Sequence, residues 1–487
     1  MFFTGPIWLS ILIPIVFAPV LLIASLAIRP GRVGLDKSAF LSAAGLGLAL
    51  IKGGALLAAV LVGFVLFTHW IALTLERAAA RGNRAANPGT LSARAWMMVA
   101  VAVHGMTVVV IVRTSLFAGP REGIGASIVP FGASYFAFHG ISYVVDVYRQ
   151  RVVGNRSRCQ LAVYLMLLPM IAGAPLIYGG VAPHLAQGWP GLSDYSYGVR
   201  RLVIGVWKVF VIADVAGRQA DVVFALRPDH LSAFLAWVGL AAFTLQIYYG
   251  FSGFSDMGIG FGRMLGLRLP ENFRWPYVGQ TVGEFWRRWH LGLSTWFREY
   301  TVQSPDGDRV PPPSASREAL VVLLCGIWYG AEWTFVAWGL YHAALIAAER
   351  AGMDAAVKRL PVLVRHVYLI LVVMVGWVIL RSQTLGGGLL FLKALAGLNP
   401  SSSSRGVPTI ELAVWLVLLA GAIGCAPLSQ AIRRWTVTID ALILSLLMLL
   451  SAPILFAWRS GSNVVTPMLR LWRASRFGVG GQGGSTS

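Results

Sequence analysis

The side chains best placed for chemistry in this apolar chain fall between Pro270 and His342. The stretch opens with Leu269-Pro-Glu-Asn-Phe273 and passes through Gly283-Glu-Phe-Trp-Arg-Arg-Trp-His290. It ends in Gly326-Ile-Trp-Tyr-Gly-Ala-Glu-Trp-Thr-Phe335. His290 follows Trp286 and Trp289. A desolvated imidazole beside a second polar cluster suits proton transfer. The plainer alternative is a histidine that donates one hydrogen bond and packs. Taken alone, Tyr329 reads as a buried phenol with a satisfied hydroxyl. Glu332 sits within the apolar run, where a carboxylate is costly unless paired or facing a cavity. His342 lies 13 residues beyond Tyr329. On a straight helix that is about 220° of rotation, so the two would not share a face. A break at Gly330 or Gly339 would change this.

The elements that position these residues follow from pattern. Thr281-Val-Gly-Glu284 is a capping box that predicts a helix start. From there Trp286, Trp289, His290, Leu293 and Phe297 fall on one face of a single helix, with Arg287, Arg288 and Arg298 opposite. Glu284 and Arg288 are spaced to pair. An amphipathic, basic, Trp-rich helix belongs at a membrane surface. Glu318 to Glu349 predicts a buried helix of 32 residues, long for one crossing. Upstream, Gly250-Phe-Ser-Gly-Phe-Ser-Asp256-Met places glycines, serines and an aspartate in apolar sequence, which predicts a broken helix packed in protein.

Composition sets the frame. The chain has 487 residues, 57% hydrophobic and 12% charged, with mean hydropathy +0.69. Soluble domains average about 25% charged, so repeated apolar runs of about 20 residues mean a membrane protein built of helices. Net charge is +20. The basic residues sit in short loops between spans, which points to topology and lipid headgroups rather than nucleic acid. Cys159, Cys325 and Cys425 are widely separated and show no metal spacing. Residues Ile7–Ile28 predict a first span, with Arg29, Arg32 and Lys37 after it on the cytoplasmic side. Phe40 to Leu75 is too long for one crossing and predicts either two unequal segments or one long tilted helix. Leu161 to Val181 predicts one crossing. The loop from Ala182 to Gly198 lacks Lys and Arg and is placed outside. Further spans are expected at Val362–Leu380, Ile410–Cys425 and Ile439–Trp458. The Gly/Ser tail after Arg476 is disordered by composition.

At several of these residues the sequence resembles the membrane-bound O-acyltransferase family, and within it the bacterial branch that O-acetylates alginate and related exopolysaccharides. The resemblance rests on Val129-Pro-Phe-Gly-Ala-Ser-Tyr135, Ser142 to Arg149, Trp207-Lys208, Gln246 to Gly260, Leu269 to Phe273, Glu284 to His290, Leu293 to Tyr300 and Gly326 to His342. It implies an all-α, polytopic fold of roughly 10–12 transmembrane helices with re-entrant and interfacial helices around a central tunnel. It also implies acyl transfer from a thioester to a hydroxyl. His290 matches one family histidine. Tyr329 stands where the family has a second histidine, its general base. A phenol titrates near about 10 and imidazole near about 6.5, so Tyr329 suits donation to a carbonyl better than proton abstraction. Trp286, Trp289, Asp256, Glu332 and His342 are the candidate lining residues.

The implied core spans 121–350. It is flanked by N-terminal helices (1–120), C-terminal helices (351–476) and the tail (477–487). The implied donor is acetyl-CoA, used as substrate; no bound cofactor and no metal are expected. The implied partners are the lipid bilayer, a polysaccharide acceptor and a periplasmic acetyltransferase, and the implied location is the bacterial inner membrane. The alternative is a catalytically impaired relative that handles acyl groups or assembles a polysaccharide-modifying system. A transporter without acyl chemistry is disfavoured, because the sequence shows no internal repeat.

Overall fold

The computed structural model describes residues 37–81, 91–117, 129–154, 157–168, 173–227, 231–301, 314–330, 332–399 and 412–425. The expected spans at Ile7–Ile28 and Ile439–Trp458 lie outside these residues. So does the C-terminal tail. Among the described residues every regular element is helical. Three segments are long and apolar enough to cross a membrane: Ala58–Ala78, Ala233–Met264 and Val362–Arg381. The fold is all-α and polytopic.

The chain opens with α1 (Lys37–Arg81), α2 (Leu91–Phe117) and α3 (Val129–Tyr148). Gly54, at φ 68°, divides α1 into two helical segments; positive φ is a conformation glycine adopts at little cost. The predicted crossing at Leu161–Val181 is not one helix. A short α4 (Arg158–Ala162) continues as a π-helical turn (Val163–Leu167), and Gly173–Ile177 is non-helical before α5 (Tyr178–Leu185). Gly173 sits at φ 64°. Pro175 lacks an N–H and favours extended backbone at the residue before it.

Next come α6 (Leu192–Trp207), a π-helical turn (Lys208–Ala213), α7 (Asp214–Ala225) and the 32-residue α8 (Ala233–Met264). The break predicted around Gly250–Met257 is absent, since α8 runs through it. The small residues serve close approach instead. A Cβ on Gly198 would lie 2.6 Å from the Gly260 carbonyl, and one on Gly205 would lie 2.5 Å from the Gly253 carbonyl. The helices α6 and α8 therefore run antiparallel with backbones touching, as small residues permit in membrane packing. Replacing Gly205 with alanine should cost about 1–3 kcal/mol of stability, because backbone rather than a flexible side chain must yield. Thermal unfolding in detergent checks this; an unchanged midpoint would refute the close contact.

Across this interface lies a buried ion cluster. Asp256 accepts from Arg201 Nε and Lys208 Nζ, both at 2.6 Å, and Arg201 also pairs with Glu271. Arg201 and Lys208 thus face α8 rather than lipid. At one end of the same helices, Lys37 Nζ donates to the carbonyls of His184, Gln187 and Gly188. Lys37 and the Ala182–Gly198 loop therefore share one side of the membrane. The opposite placements drawn from charge bias do not hold together. A buried ammonium capping three carbonyls does not report the positive-inside rule.

The central stretch forms α9 (Val282–Trp286), α10 (Leu291–Tyr300), α11 (Ala315–Tyr329) and α12 (Trp333–Ala348). Two single helices were predicted here and neither is continuous. The first breaks at His290 (φ 43°) and the second at Gly330. Helices α11 and α12 fold back on each other. A Cβ on Gly326 would lie 2.7 Å from the Phe335 carbonyl and 3.0 Å from Gly339 Cα. After α13 (Asp354–Lys358) the chain continues through α14 (Val362–Arg381), α15 (Leu385–Leu395) and α16 (Leu412–Gly424).

Candidate active site

The site is built around the residue that breaks the first predicted helix. His290 adopts the left-handed region, which is unusual for a non-glycine residue, and its side chain does not cap α10. Capping comes from Asn272 instead. Its backbone carbonyl accepts from Leu291 N–H at 2.9 Å, and its Oδ1 accepts from Gly292 N–H at 3.2 Å. Its Nδ2 donates to Ser255 Oγ on α8 at 2.9 Å. The adjacent Phe273 stacks on the imidazole, with centroids 5.8 Å apart and planes at 14°. The Pro-Glu-Asn-Phe segment is thus a clamp that ties α8 to the start of α10 and frees the His290 ring.

The preceding helix is held just as firmly. Thr281 Oγ1 accepts from Glu284 N–H at 3.1 Å, as the capping pattern predicts. Glu284 turns back to Gln280 N–H at 2.9 Å rather than pairing with Arg288, which reaches the Arg274 carbonyl. The remaining first-turn donors, Val282 and Gly283 N–H, go to the carboxylate of Glu349 at 2.7 and 2.9 Å. A five-residue helix has little stability of its own, so these contacts fix its position.

Tyr329 is the last residue of α11. Its hydroxyl lies 2.8 Å from His290 Nδ1, so the break at Gly330 places the two candidates in direct contact. His290 is 1% exposed and Tyr329 6%. Phe251 of α8 and Trp328 flank both rings. His290 lies between short helices, outside the spanning segments. Burial pushes its imidazole down to about 4, opposed by the nearby Gly173 carbonyl. The ring is therefore neutral at physiological pH, the form that accepts a proton. Nε2 makes no hydrogen bond of standard geometry.

Beyond the pair lies a box of aromatic rings. Trp286, Trp289, Trp338 and Trp377 pack with Phe285 and His342 at centroid distances of 5.1–6.4 Å. His342 is fully buried, and both of its ring nitrogens lack hydrogen-bond partners. Trp338 stands between it and Tyr329, at 5.1 and 5.6 Å. The hairpin thus brings His342 to the same aromatic region as Tyr329, which the straight-helix geometry did not allow.

Two candidates do not join the site. Asp256 is committed to Arg201 and Lys208 between α6 and α8. Glu332 is exposed at the hairpin turn, immediately before α12, rather than buried in an apolar run. Trp333 beside it is 78% exposed. Breaking the helix at Gly330 is what carries that carboxylate to the surface.

Four supporting residues do not stand out as such in the sequence. Tyr135 donates to the Gly173 carbonyl at 3.3 Å and stacks on Trp328. His139 spans Tyr164 O and Leu176 N–H, both at 2.9 Å. Asn272 and Glu349 are the distant caps. The accessible signal was a polar residue in each apolar run whose partner lies far off in sequence.

Among the described residues the fold is all-helical, and a histidine and a tyrosine meet inside an aromatic enclosure. Comparison supplies the family. The membrane-bound O-acyltransferase family model matches residues 187–383. The chain is 37% identical over 334 residues to the probable alginate O-acetylase AlgI of Azotobacter vinelandii, covering 66% of this chain and 64% of the relative. It is 34% identical to the protein of that name from Pseudomonas putida, covering 67% of this chain and 68% of the relative. The peptidoglycan O-acetyltransferase of Helicobacter pylori is 27% identical over 70% of each chain. This chain belongs to the membrane-bound O-acyltransferase family. It spans about two thirds of the length of the alginate O-acetylases it matches.

Proposed function

We propose that this protein is a multi-pass O-acyltransferase of the bacterial inner membrane. It moves an acetyl group from acetyl-CoA towards hydroxyls of an extracytoplasmic polysaccharide, and a periplasmic acetyltransferase partner completes the transfer. The core at 121–350 carries the chemistry. The observation behind this reading is the contact between His290 and Tyr329 inside a closed aromatic site. A neutral buried imidazole next to a hydroxyl is a base–hydroxyl pair, the minimum that acyl transfer requires. Trp286 and Trp289 form the apolar wall behind the pair, with His342 deeper.

One observation favours a second reading, an impaired relative that handles acyl groups without turnover. Tyr329 occupies the position where the resemblance expects a histidine, and a phenol is a poor base at neutral pH. Purified protein in detergent, given radiolabelled acetyl-CoA and a hydroxylated glycan, separates the two. Labelled glycan from wild type supports the enzyme. A silent wild type together with a Tyr329→His variant that gains turnover supports the impaired relative.

A further inference from the structure

We propose that Tyr329 is a covalent nucleophile, carrying the acyl group as an aryl ester between donor and acceptor. This rests on the acyl-transfer reading above and specifies how the pair would achieve it.

The direction of one proton decides the role of Tyr329. Tyr329 engages His290 at Nδ1, 2.8 Å away. The Gly173 carbonyl also neighbours the ring and favours a proton on it. Nδ1 is taken up by the Tyr329 hydroxyl and Nε2 makes no hydrogen bond of standard geometry, so the ring proton is assigned to Nε2. A neutral imidazole protonated at Nε2 presents a lone pair at Nδ1, and the phenol must donate into it. The single phenolic proton is then committed to His290 and is not free for a thioester carbonyl. The oxygen keeps its lone pairs. That is the arrangement of an activated nucleophile and its base, not of a donor awaiting an oxyanion.

The surroundings agree. Tyr135 holds the Gly173 carbonyl from its other side. The segment beyond it is anchored at Leu176, whose N–H goes to His139 and whose carbonyl accepts from Tyr164 at 2.6 Å. A Cβ on Gly292, two residues past His290, would lie 2.8 Å from Ala174 Cβ. The Gly173 carbonyl is thus fixed against the histidine by two anchors. The indole N–H of Trp289 neighbours the Tyr329 oxygen and makes no hydrogen bond of standard geometry elsewhere. Burial pushes the Tyr329 phenol well above its usual value, and a donor at that oxygen works against this, steadying negative charge when the oxygen leaves.

The steps balance. In the first half, Tyr329 Oη attacks the thioester carbonyl carbon and its proton passes to His290 Nδ1. The new C–O bond forms, the C–S bond breaks, and the imidazolium returns the proton to the departing thiolate. In the second half, an acceptor hydroxyl attacks the aryl ester and its proton goes to Nδ1. The bond from the acyl carbon to Tyr329 Oη breaks, and the phenolate recovers the proton from His290. A phenol near about 10 is close to a thiol near about 8.5 in acidity. The first half is therefore nearly balanced, and the second, ending on an alkyl alcohol, runs downhill.

The test uses the full chain in detergent, incubated without acceptor with isotopically labelled acetyl-CoA and, in parallel, with S-acetyl-N-acetylcysteamine. Tandem mass spectrometry then locates the label. Expected is one acetyl group per chain on Tyr329, released by neutral hydroxylamine and by added glycan. Tyr329→Phe should carry none, and His290→Gln should acquire label at least about 100-fold more slowly. Sustained turnover without acetyl on Tyr329, or turnover surviving in Tyr329→Phe, overturns the covalent step and leaves acyl transfer standing. An acetyl that glycan does not discharge also overturns it. Neither turnover nor label overturns both readings together. Should Tyr329→Phe fail to fold, the site-resolved mass of wild type decides alone.

Discussion

His290→Ala is expected to lower turnover by about 10²–10⁴-fold, the usual worth of a positioned general base. The substitution removes the group that receives the Tyr329 proton, and among the described residues no other base touches that hydroxyl. It also removes a ring stacked on Phe273 and leaves an alanine at φ 43°, so lost activity has to be separated from lost fold. His290→Asn does this. Asparagine tolerates the left-handed region better than alanine and fills part of the space, yet cannot act as a base. Both variants should lose turnover, and His290→Asn should keep a near-native unfolding midpoint. The acid limb of the wild-type pH–rate profile should fall near pH 4, where the buried ring protonates, rather than near the ordinary imidazole value of about 6.5. Turnover in His290→Ala equal to wild type would remove His290 from the chemistry.

The largest effect on stability is expected at Asp256→Ala. The carboxylate accepts from two cations on another helix, and its side chain is 6% exposed. Removing it strands half of the buried Arg201 fork and leaves the partly exposed Lys208 unpaired, at a cost of about 3–5 kcal/mol. Replacing all three residues with apolar side chains of similar volume should recover most of that loss, since a buried ion pair often does little better than good packing. Thermal unfolding of the single and triple variants measures both. If the triple variant is no more stable than Asp256→Ala, the cluster does more than neutralise itself. Turnover per folded molecule should survive in the triple variant, because Asp256 faces α6 rather than His290.

Membrane class and helical content were legible in the sequence because burial in lipid demands long apolar runs. His290 was legible through its neighbours. The breaks were not, and they are what make the site. The residues from Thr281 to Phe297 satisfy a helical pattern without interruption. The break at His290 comes from Asn272, which takes over the α10 N–H groups, and from Glu349, which takes those of α9. Neither competitor is local. The Gly250–Met257 stretch fails in the opposite sense. Its Gly253 looks like weakness within one helix and proves to be the seat of a neighbouring backbone. Glu332 was misplaced for the first of these reasons, because a helix continued through Gly330 buries what a hairpin exposes.

The long reach of the contacts around the pair constrains how the protein is made. Trp328 Nε1 donates to Ser134 Oγ across 194 residues of chain, and the hydroxyl next to it belongs to the last turn of α11. Helix α3 leaves the ribosome long before α11 exists. Until α11 arrives, Ser134 lacks the indole donor of Trp328 and Tyr135 lacks its stack on the same ring. Insertion can set up the helices one at a time, but the enclosure cannot close until this late hairpin docks. A nascent chain cut off before Tyr329 would sit in the membrane with its entry helices in place and no site between them.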